Sequence, residues 1–415
     1  MERLSDMKRN VLSHLDQARL IEMTTKIADI VSLTGEESPV ARFLGGEMER
    51  LGMEVSYQEV EEGRLNAIGV LKGSGGGPAL MFCGHTDHFD GPQATGVADN
   101  RVYGRGLVNM KCAFPCYLMA VEMLVESGIA LKGDVIVSGV VGEIEKAQVG
   151  RFHGKSYRGG GVGARYMMDH GVTADMCIIG EPTGLMLQIG NCGLVWAKVT
   201  VEGPAKTFVL KAAEVARAIQ AWEPTYQLEH SHPFMLPTIQ IGAVDGGNPF
   251  KPGTNPTTDL YVSVRILPNI PPMMVQRKLA EICAEVEQRE GDIKTTVELY
   301  LSTTGYEISD QEPIVKSLEQ VHRELFDKDI GYVPPLRYGI TTDASRLAQY
   351  GVPAVSLGAG YGMYLVDPQE RLAPGWEVAS GRRPGVGIEN LVNCTKLYAA
   401  CAVDVCTQSR EELGV

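Results

Sequence analysis

His85 and Asp87 close the apolar run PALMFC in the stretch PALMFCGHTD. A strand over that run delivers an imidazole to a loop at its carboxyl end, where α/β sheets place their chemistry. Histidine is the commonest side-chain metal ligand, and a nearby carboxylate fixes its tautomer by accepting from the second ring nitrogen. Alone the pair is a weak sign, because a surface histidine beside a turn aspartate has the same spelling. Glu143 and Glu145 follow a second strand pattern, GDVIVSGVV. A glutamate there can act as a general base; Glu143 is the better placed, and Glu145, beside Lys146, suits a solvated strand end. Glu181 in IIGEPTG is a third strand-end acid, and Pro182 stops its strand.

The elements that must position these groups alternate. Helical spacing over Met7 to Leu33 and Pro39 to Leu51 is followed by short apolar runs bounded by glycine, with helical patterns at Lys111 to Glu126 and Gly163 to His170. Such alternation predicts an α/β fold with a largely parallel, buried sheet. From Trp196 the order becomes β-α-β-β-α-β, the split ferredoxin-like unit. After Ser302 the α/β character returns, with a helix over Glu312 to Phe326, the strand VPAVSLGAG and a last helix from Glu389 to Cys406. Residues 1–195 and 303–415 are therefore expected to form one discontinuous domain, with 196–302 inserted as a second unit.

At 415 residues the chain suggests roughly two to three domains. A net charge of −13 argues against nucleic acid and anionic membranes as partners, since both select basic surface. Nine cysteines, odd in number and set in apolar stretches, argue against a disulfide framework. Cys112 and Cys116 could share a helix face, but without a companion pair they read as small core residues. The charged amphipathic N-terminus and the lack of a long apolar run place the chain in the cytoplasm as an expectation.

Taken in order, GHTDHFDG, GRGLVNMK, the strand-end glutamates, GEPTG, the inserted unit with NPTTDLYVSVRILP, and TTDASRLAQYGVPAVSLGAG resemble one family. It is the family of acetylornithine deacetylase, succinyl-diaminopimelate desuccinylase, aminoacylases and glutamate-type carboxypeptidases. The resemblance runs from about residue 20 to the C-terminus. It implies that 1–195 and 303–415 are a zinc-exopeptidase-like catalytic domain with a mixed sheet and flanking helices, that the ferredoxin-like α+β insert 196–302 is a lid that also dimerises, and that a metal-activated water hydrolyses a C–N bond. Carried over by position, His85 matches a metal ligand and Asp87 the aspartate that orients it. Asn109 matches a bridging aspartate, Glu143 the general base, and Glu181 the acid that shares a metal with the histidine.

Three positions depart from the family pattern. Asn109 offers a neutral carbonyl oxygen where two anionic oxygens would bridge two cations. Ile144 stands where the second residue of a Glu-Glu pair would ligate, and Gly385 where a C-terminal histidine would. All three belong to the same metal, so the resemblance implies a single divalent ion on His85, Asn109 and Glu181. The oxygen-rich donor set suits Mn²⁺ or Zn²⁺. The lid histidine that polarises a scissile carbonyl is also missing; VEGPAKTF has Lys206 near that place, and His230 or His232 could substitute.

These departures resemble the branch of the family that deaminates 5-nitroanthranilate, and the leading expectation is hydrolytic deamination of an electron-poor aromatic amine, releasing ammonia. N-acyl amino acid or peptide hydrolysis is the alternative, and a non-catalytic binding or assembly module a third reading. The substrate is a small molecule. Its contacts are sought in Arg265, Arg337, Tyr361 and Lys206, with Arg346, Arg371, Arg382, Arg383, Tyr338, Tyr364 and Trp376 as further candidates. Asp343 in TTDASR reads as a helix cap. A homodimer or higher homo-oligomer through the lid is expected.

Overall fold

The strand that ends in His85 is held by aromatic packing from two long helices. In the computed structural model, which describes residues 4–88, 94–144, 147, 149–150, 158–333, 341–360 and 385–415, Phe82 stacks on Tyr117 at 5.1 Å and Tyr117 meets Tyr398 at 5.0 Å. The Tyr117 hydroxyl donates to the Cys83 carbonyl at 2.8 Å. Tyr117 lies in the helix Ala113–Ser127 and Tyr398 in Ile388–Cys406. Both rings are fully buried, so the strand beneath them has little freedom to shift.

In chain order the strands are β1 (Glu54–Glu61), β2 (Arg64–Leu71), β3 (Leu80–His85), β4 (Gly96–Ala98), β5 (Arg101–Tyr103), β6 (Val135–Val140), β7 (Met176–Ile179) and β8 (Gly190–Asn191). There follow β9 (Gly193–Glu202), β10 (Ile239–Gly246), β11 (Thr257–Ile266), β12 (Lys294–Thr303), β13 (Tyr306–Glu307), β14 (Ala354–Ser356) and β15 (Gly385–Gly387). The main sheet has the order β1-β2-β6-β3-β7-β14. β3 pairs in parallel with β6 and β7, and β7 with β14, whereas β1 and β2 join antiparallel. Every residue of β3, β6 and β7 is buried, as expected where helices cover both faces and the apolar runs do not alternate. The carboxyl ends of β3, β6 and β7 therefore lie side by side, and they carry His85, Glu143 and Glu181.

The inserted segment forms a four-stranded antiparallel sheet of order β10-β11-β9-β12, backed by the helices Phe208–Ala221 and Pro272–Glu290. This is the ferredoxin-like arrangement, and it has a core of its own built on Val195, Val199, Val264, Val215 and Leu279. The short pair β8 and β13 ties the chain together where it enters and leaves the insert.

The first predicted helix is two. Asp6–Leu12 and Gln17–Asp29 are separated where the Asp16 side chain accepts from the Arg19 backbone N–H, a cap that restarts the helix. The apolar stretch LMLQIGN makes only isolated bridges and the two residues of β8. All nine cysteines are buried and unpaired, which places Cys112 and Cys116 in the core. The segment Leu107–Ser127 is long and apolar enough to cross a membrane, but the fold covers it and it serves as a central core helix.

Candidate active site

His85 is fully buried. Its Nδ1 lies 2.9 Å from the Asp87 carbonyl oxygen and 3.4 Å from Asp87 Oδ1. A carbonyl oxygen only accepts, so Nδ1 carries a proton and donates it there. Nε2 then faces Asn109 Oδ1 at 3.0 Å and Glu143 Oε2 at 3.7 Å. An imidazole nitrogen, an amide oxygen and a carboxylate oxygen thus converge, a set that a cation or a shared proton can satisfy. Burial alone would lower the His85 pKa, but the charge of Glu143, the Asp87 contact and the charge of Glu181 hold it well above its ordinary value.

Asp87 binds this cluster to the end of β6. Its Oδ1 accepts from the Glu143 N–H at 3.1 Å, and its Oδ2 from the Ile144 N–H at 3.1 Å and the Thr34 hydroxyl at 2.9 Å. Burial would raise the Asp87 carboxyl; the His85 contact and these donors outweigh it and keep the group below its usual range. Glu143 and the His85 imidazole are consequently positioned by one carboxylate.

Asn109 sits in a non-helical turn ahead of the helix Ala113–Ser127, with φ −131 and ψ 100, and its peptide bond to Met110 is cis. The turn begins at Gly106, whose φ of 64 suits glycine; a Cβ there would also lie 2.6 Å from His88 Cβ. It is tethered by Lys111, which is fully buried and donates to the carbonyls of Ile27 at 3.1 Å and Ile30 at 2.7 Å, at the end of the helix Gln17–Asp29. Burial pushes the Lys111 pKa down to about 7, with Arg105 adding to the fall and Asp29 opposing it.

The folded chain therefore binds fewer protons than the unfolded chain between about pH 7 and the unfolded lysine value near 10.4. Stability from this group is full above that value and is lost as pH falls toward 7. The stability difference between wild type and Lys111→Met is expected to grow by up to about 1.4 kcal/mol per pH unit from pH 7 to 9. Urea denaturation at those pH values measures it, and a pH-independent difference would contradict the assignment.

Glu181 closes β7 at 2 % exposure, and its charge reaches His85. Ile144 is an apolar side chain buried beside the site. Gly385 belongs to β15, paired with Tyr103 of β5, and a Cβ at 385 would lie 2.8 Å from the Tyr103 ring. Among the described residues no group of three or more His, Cys, Asp and Glu side chains gathers as a metal cage. The candidate set His85, Asn109 and Glu181 contains only two such residues, its third member being an amide.

The remaining sequence candidates are scattered. Arg265 lies half-buried in β11, and its Nη1 has no hydrogen-bond partner among the described residues. Lys206 is exposed in the turn before the helix Phe208–Ala221. His232 accepts from the Phe234 and Met235 N–H groups and lies 3.2 Å from Glu307, while His230 packs edge-on against Tyr226; both serve local structure. Glu145, Arg337, Tyr338, Tyr361, Tyr364, Arg371, Trp376, Arg382 and Arg383 lie outside the described residues.

Asp343 differs from its expected role. It precedes the helix Ala344–Ala348, yet its side chain makes no capping hydrogen bond. It is buried, and burial pushes its carboxyl up to about 7, with His85 pulling down and Glu181 and Asp87 pushing up. An acid directly before a helix spells a cap, and that spelling masks any other role for Asp343.

Residues 81–402 match the model of peptidase family M20/M25/M40. The chain belongs to this family. Acetylornithine deacetylase from Aliivibrio salmonicida is 28% identical over 300 residues, covering 66% of this chain and 73% of that protein. Succinyl-diaminopimelate desuccinylase from Methylorubrum extorquens is 31% identical over 192 residues, covering 41% and 47%. Among solved structures, aminopeptidase PepT from Bacillus cereus superposes with a TM-score of 0.73 at 19% identity, over 94% of this chain and 99% of that one. A Bacillus subtilis M20 peptidase described as dinuclear metal binding superposes at 0.64 and 13%, over 94% and 99%. As a member of the M20/M25/M40 family the chain is a metal-dependent hydrolase of a C–N bond.

Proposed function

We propose that this M20/M25/M40 chain hydrolyses the C–N bond of a small carboxylate-bearing amide, of the N-acyl amino acid or peptide type. It does so around one divalent ion, Mn²⁺ or Zn²⁺, held by His85, Asn109 and Glu181. The observation that carries this reading is the convergence of His85 Nε2, Asn109 Oδ1 and Glu143 Oε2 within 3.0 and 3.7 Å of the imidazole nitrogen. The deacetylase and desuccinylase relatives support an amide over an aromatic amine as substrate.

A bound divalent ion supplies Lewis-acid chemistry, acidifying water near neutral pH. Glu143 takes the proton of the attacking water and returns it to the leaving nitrogen, since it stands at the strand end beside the ion ligands. Asp87 keeps the imidazole in the tautomer whose Nε2 lone pair would be free to hold the ion. Asn109, being neutral, leaves more positive charge at the site than an aspartate would. Ile144 and Gly385 offer no ligand for a second ion. The insert over 196–302 acts as lid and as dimerisation surface: β10 is an edge strand of its sheet, and Val209, Leu210, Val244 and Phe250 are exposed on it.

A second reading is hydrolytic deamination of an electron-poor aromatic amine of the 5-nitroanthranilate type. It is favoured by the exposed Lys206 near the place of a carbonyl-polarising histidine, because ring substituents can hold the charge that such a group would hold. A panel of N-acyl amino acids and aminonitrobenzoates, followed by acid and ammonia release, separates the two. Deacylation without ammonia is expected; ammonia from the nitroaromatic amines, with the N-acyl compounds inert, transfers the assignment to the second reading.

A further inference from the structure

Asp343 is 1% exposed, and neither carboxylate oxygen has a hydrogen-bond partner among the described residues. Arg346, one helical turn on, is in the same condition at Nε, although its Nη2 donates to the Gly160 carbonyl at 2.7 Å. The two unsatisfied groups border one point. A Cβ on Gly161, which has φ +79, would lie 3.1 Å from both Asp343 Oδ1 and Arg346 Nε. Glycine at 161 therefore keeps clear a narrow space that any side chain would crowd, bordered by an acceptor and a donor.

That space adjoins the catalytic strand end. The Gly161 N–H donates to the Gly142 carbonyl at 2.8 Å, and the Gly160 N–H to the carbonyls of Glu143 and Ile144 at 3.2 and 3.3 Å. On its other side Gly160 approaches Leu301 of β12, so the point lies where the insert meets the catalytic sheet. Asn191 holds the neighbouring segment from below, donating to the Ser345 hydroxyl at 3.0 Å and accepting from Thr342 at 3.2 Å. The segment bearing Asp343 is thus braced by its neighbours while the carboxylate itself is left without a partner.

A buried, unpaired carboxylate is costly, and a fold has no reason of its own to keep one. We propose that Asp343 is a substrate-binding residue of this site, accepting a hydrogen bond from the N–H of a small substrate whose adjacent acceptor group takes the Arg346 Nε–H. The proposal rests on the C–N hydrolase reading above and adds the recognition of the nitrogen. Both an N-acyl amino acid and a 2-aminobenzoate carry an N–H close to a carboxylate, so the pattern suits either substrate class. A site built around such a donor rejects the analogue that lacks it, because the acceptor is then left unpaired.

The test uses two matched pairs of probes: N-acetylglycine with N-acetyl-N-methylglycine, and 2-amino-5-nitrobenzoate with its N,N-dimethyl counterpart. Calorimetric binding is measured on the full-length, metal-loaded chain in a Glu143→Gln background, which blocks turnover. The N–H member of one pair is expected to bind about tenfold or more tightly than its alkylated partner. Adding Asp343→Leu is expected to bring that ratio near one. Asp343→Asn, which keeps an acceptor oxygen, is expected to retain part of the preference and to melt no lower than wild type, since an unpaired buried charge is removed. A preference unchanged in both variants, as an ordered water alone would give, overturns the proposal. If neither pair binds, the substrate class fails by itself and melting decides on Asp343: a lower melting temperature for Asp343→Asn overturns the role, and an equal or higher one supports it.

Discussion

Glu143→Gln is expected to lower kcat by about 10² to 10⁴-fold while leaving the metal content of the protein unchanged. The substitution keeps the size of the side chain and one carbonyl oxygen, and removes only the ability to take a proton. Glu143 is 7% exposed, and its backbone N–H is anchored by Asp87, so the amide replaces the acid with little rearrangement. KM should change far less than kcat, because the base acts mainly in the transition state. Steady-state kinetics with metal analysis on the same preparation reads both quantities. A variant that kept wild-type turnover would remove Glu143 from the mechanism, and one that lost its metal would make it a ligand instead.

Asp87→Ala should have the largest effect on stability, about 3–5 kcal/mol, together with loss of activity. The carboxylate is fully buried and accepts from two backbone N–H groups and the Thr34 hydroxyl. Truncation leaves those donors unsatisfied and the His85 ring without its carboxylate neighbour. Because the folded carboxyl is held below its usual range, its contribution is present above the unfolded value near 3.9 and is lost as pH falls through the folded value. Urea denaturation at pH 7 measures the loss. A fall of less than about 1 kcal/mol would mean that the network around Asp87 is not a unit.

How far the sequence could be read depended on how local each signal was. Apolar runs ending in His85, Glu143 and Glu181 were readable because all three strands are buried on both faces and so lack alternation. The ferredoxin-like insert was readable from its element order, which a four-stranded antiparallel sheet then realised. The break at Asp16 was hidden because apolar spacing runs on through Leu15 and Leu20 on either side of a capping residue. Asp343 was hidden for the opposite reason: a familiar local role explained it too well, and only its burial without a partner separates it from a cap. Asn109 stands out in the sequence only against a family pattern, since an amide in a turn carries no chemical sign of its own; in the fold it lies 3.0 Å from His85 Nε2.

The proposed one-ion arrangement would join these observations: buried Ile144 and close-packed Gly385 carry no side-chain ligand, and Asn109 is neutral where an aspartate would bridge two ions. Metal analysis of chain purified without chelator, by mass spectrometry against a protein concentration from amino-acid analysis, tests it most directly. The expected result is one Mn²⁺ or Zn²⁺ per chain, falling to near zero in His85→Ala; a reproducible value of two per chain would contradict the account.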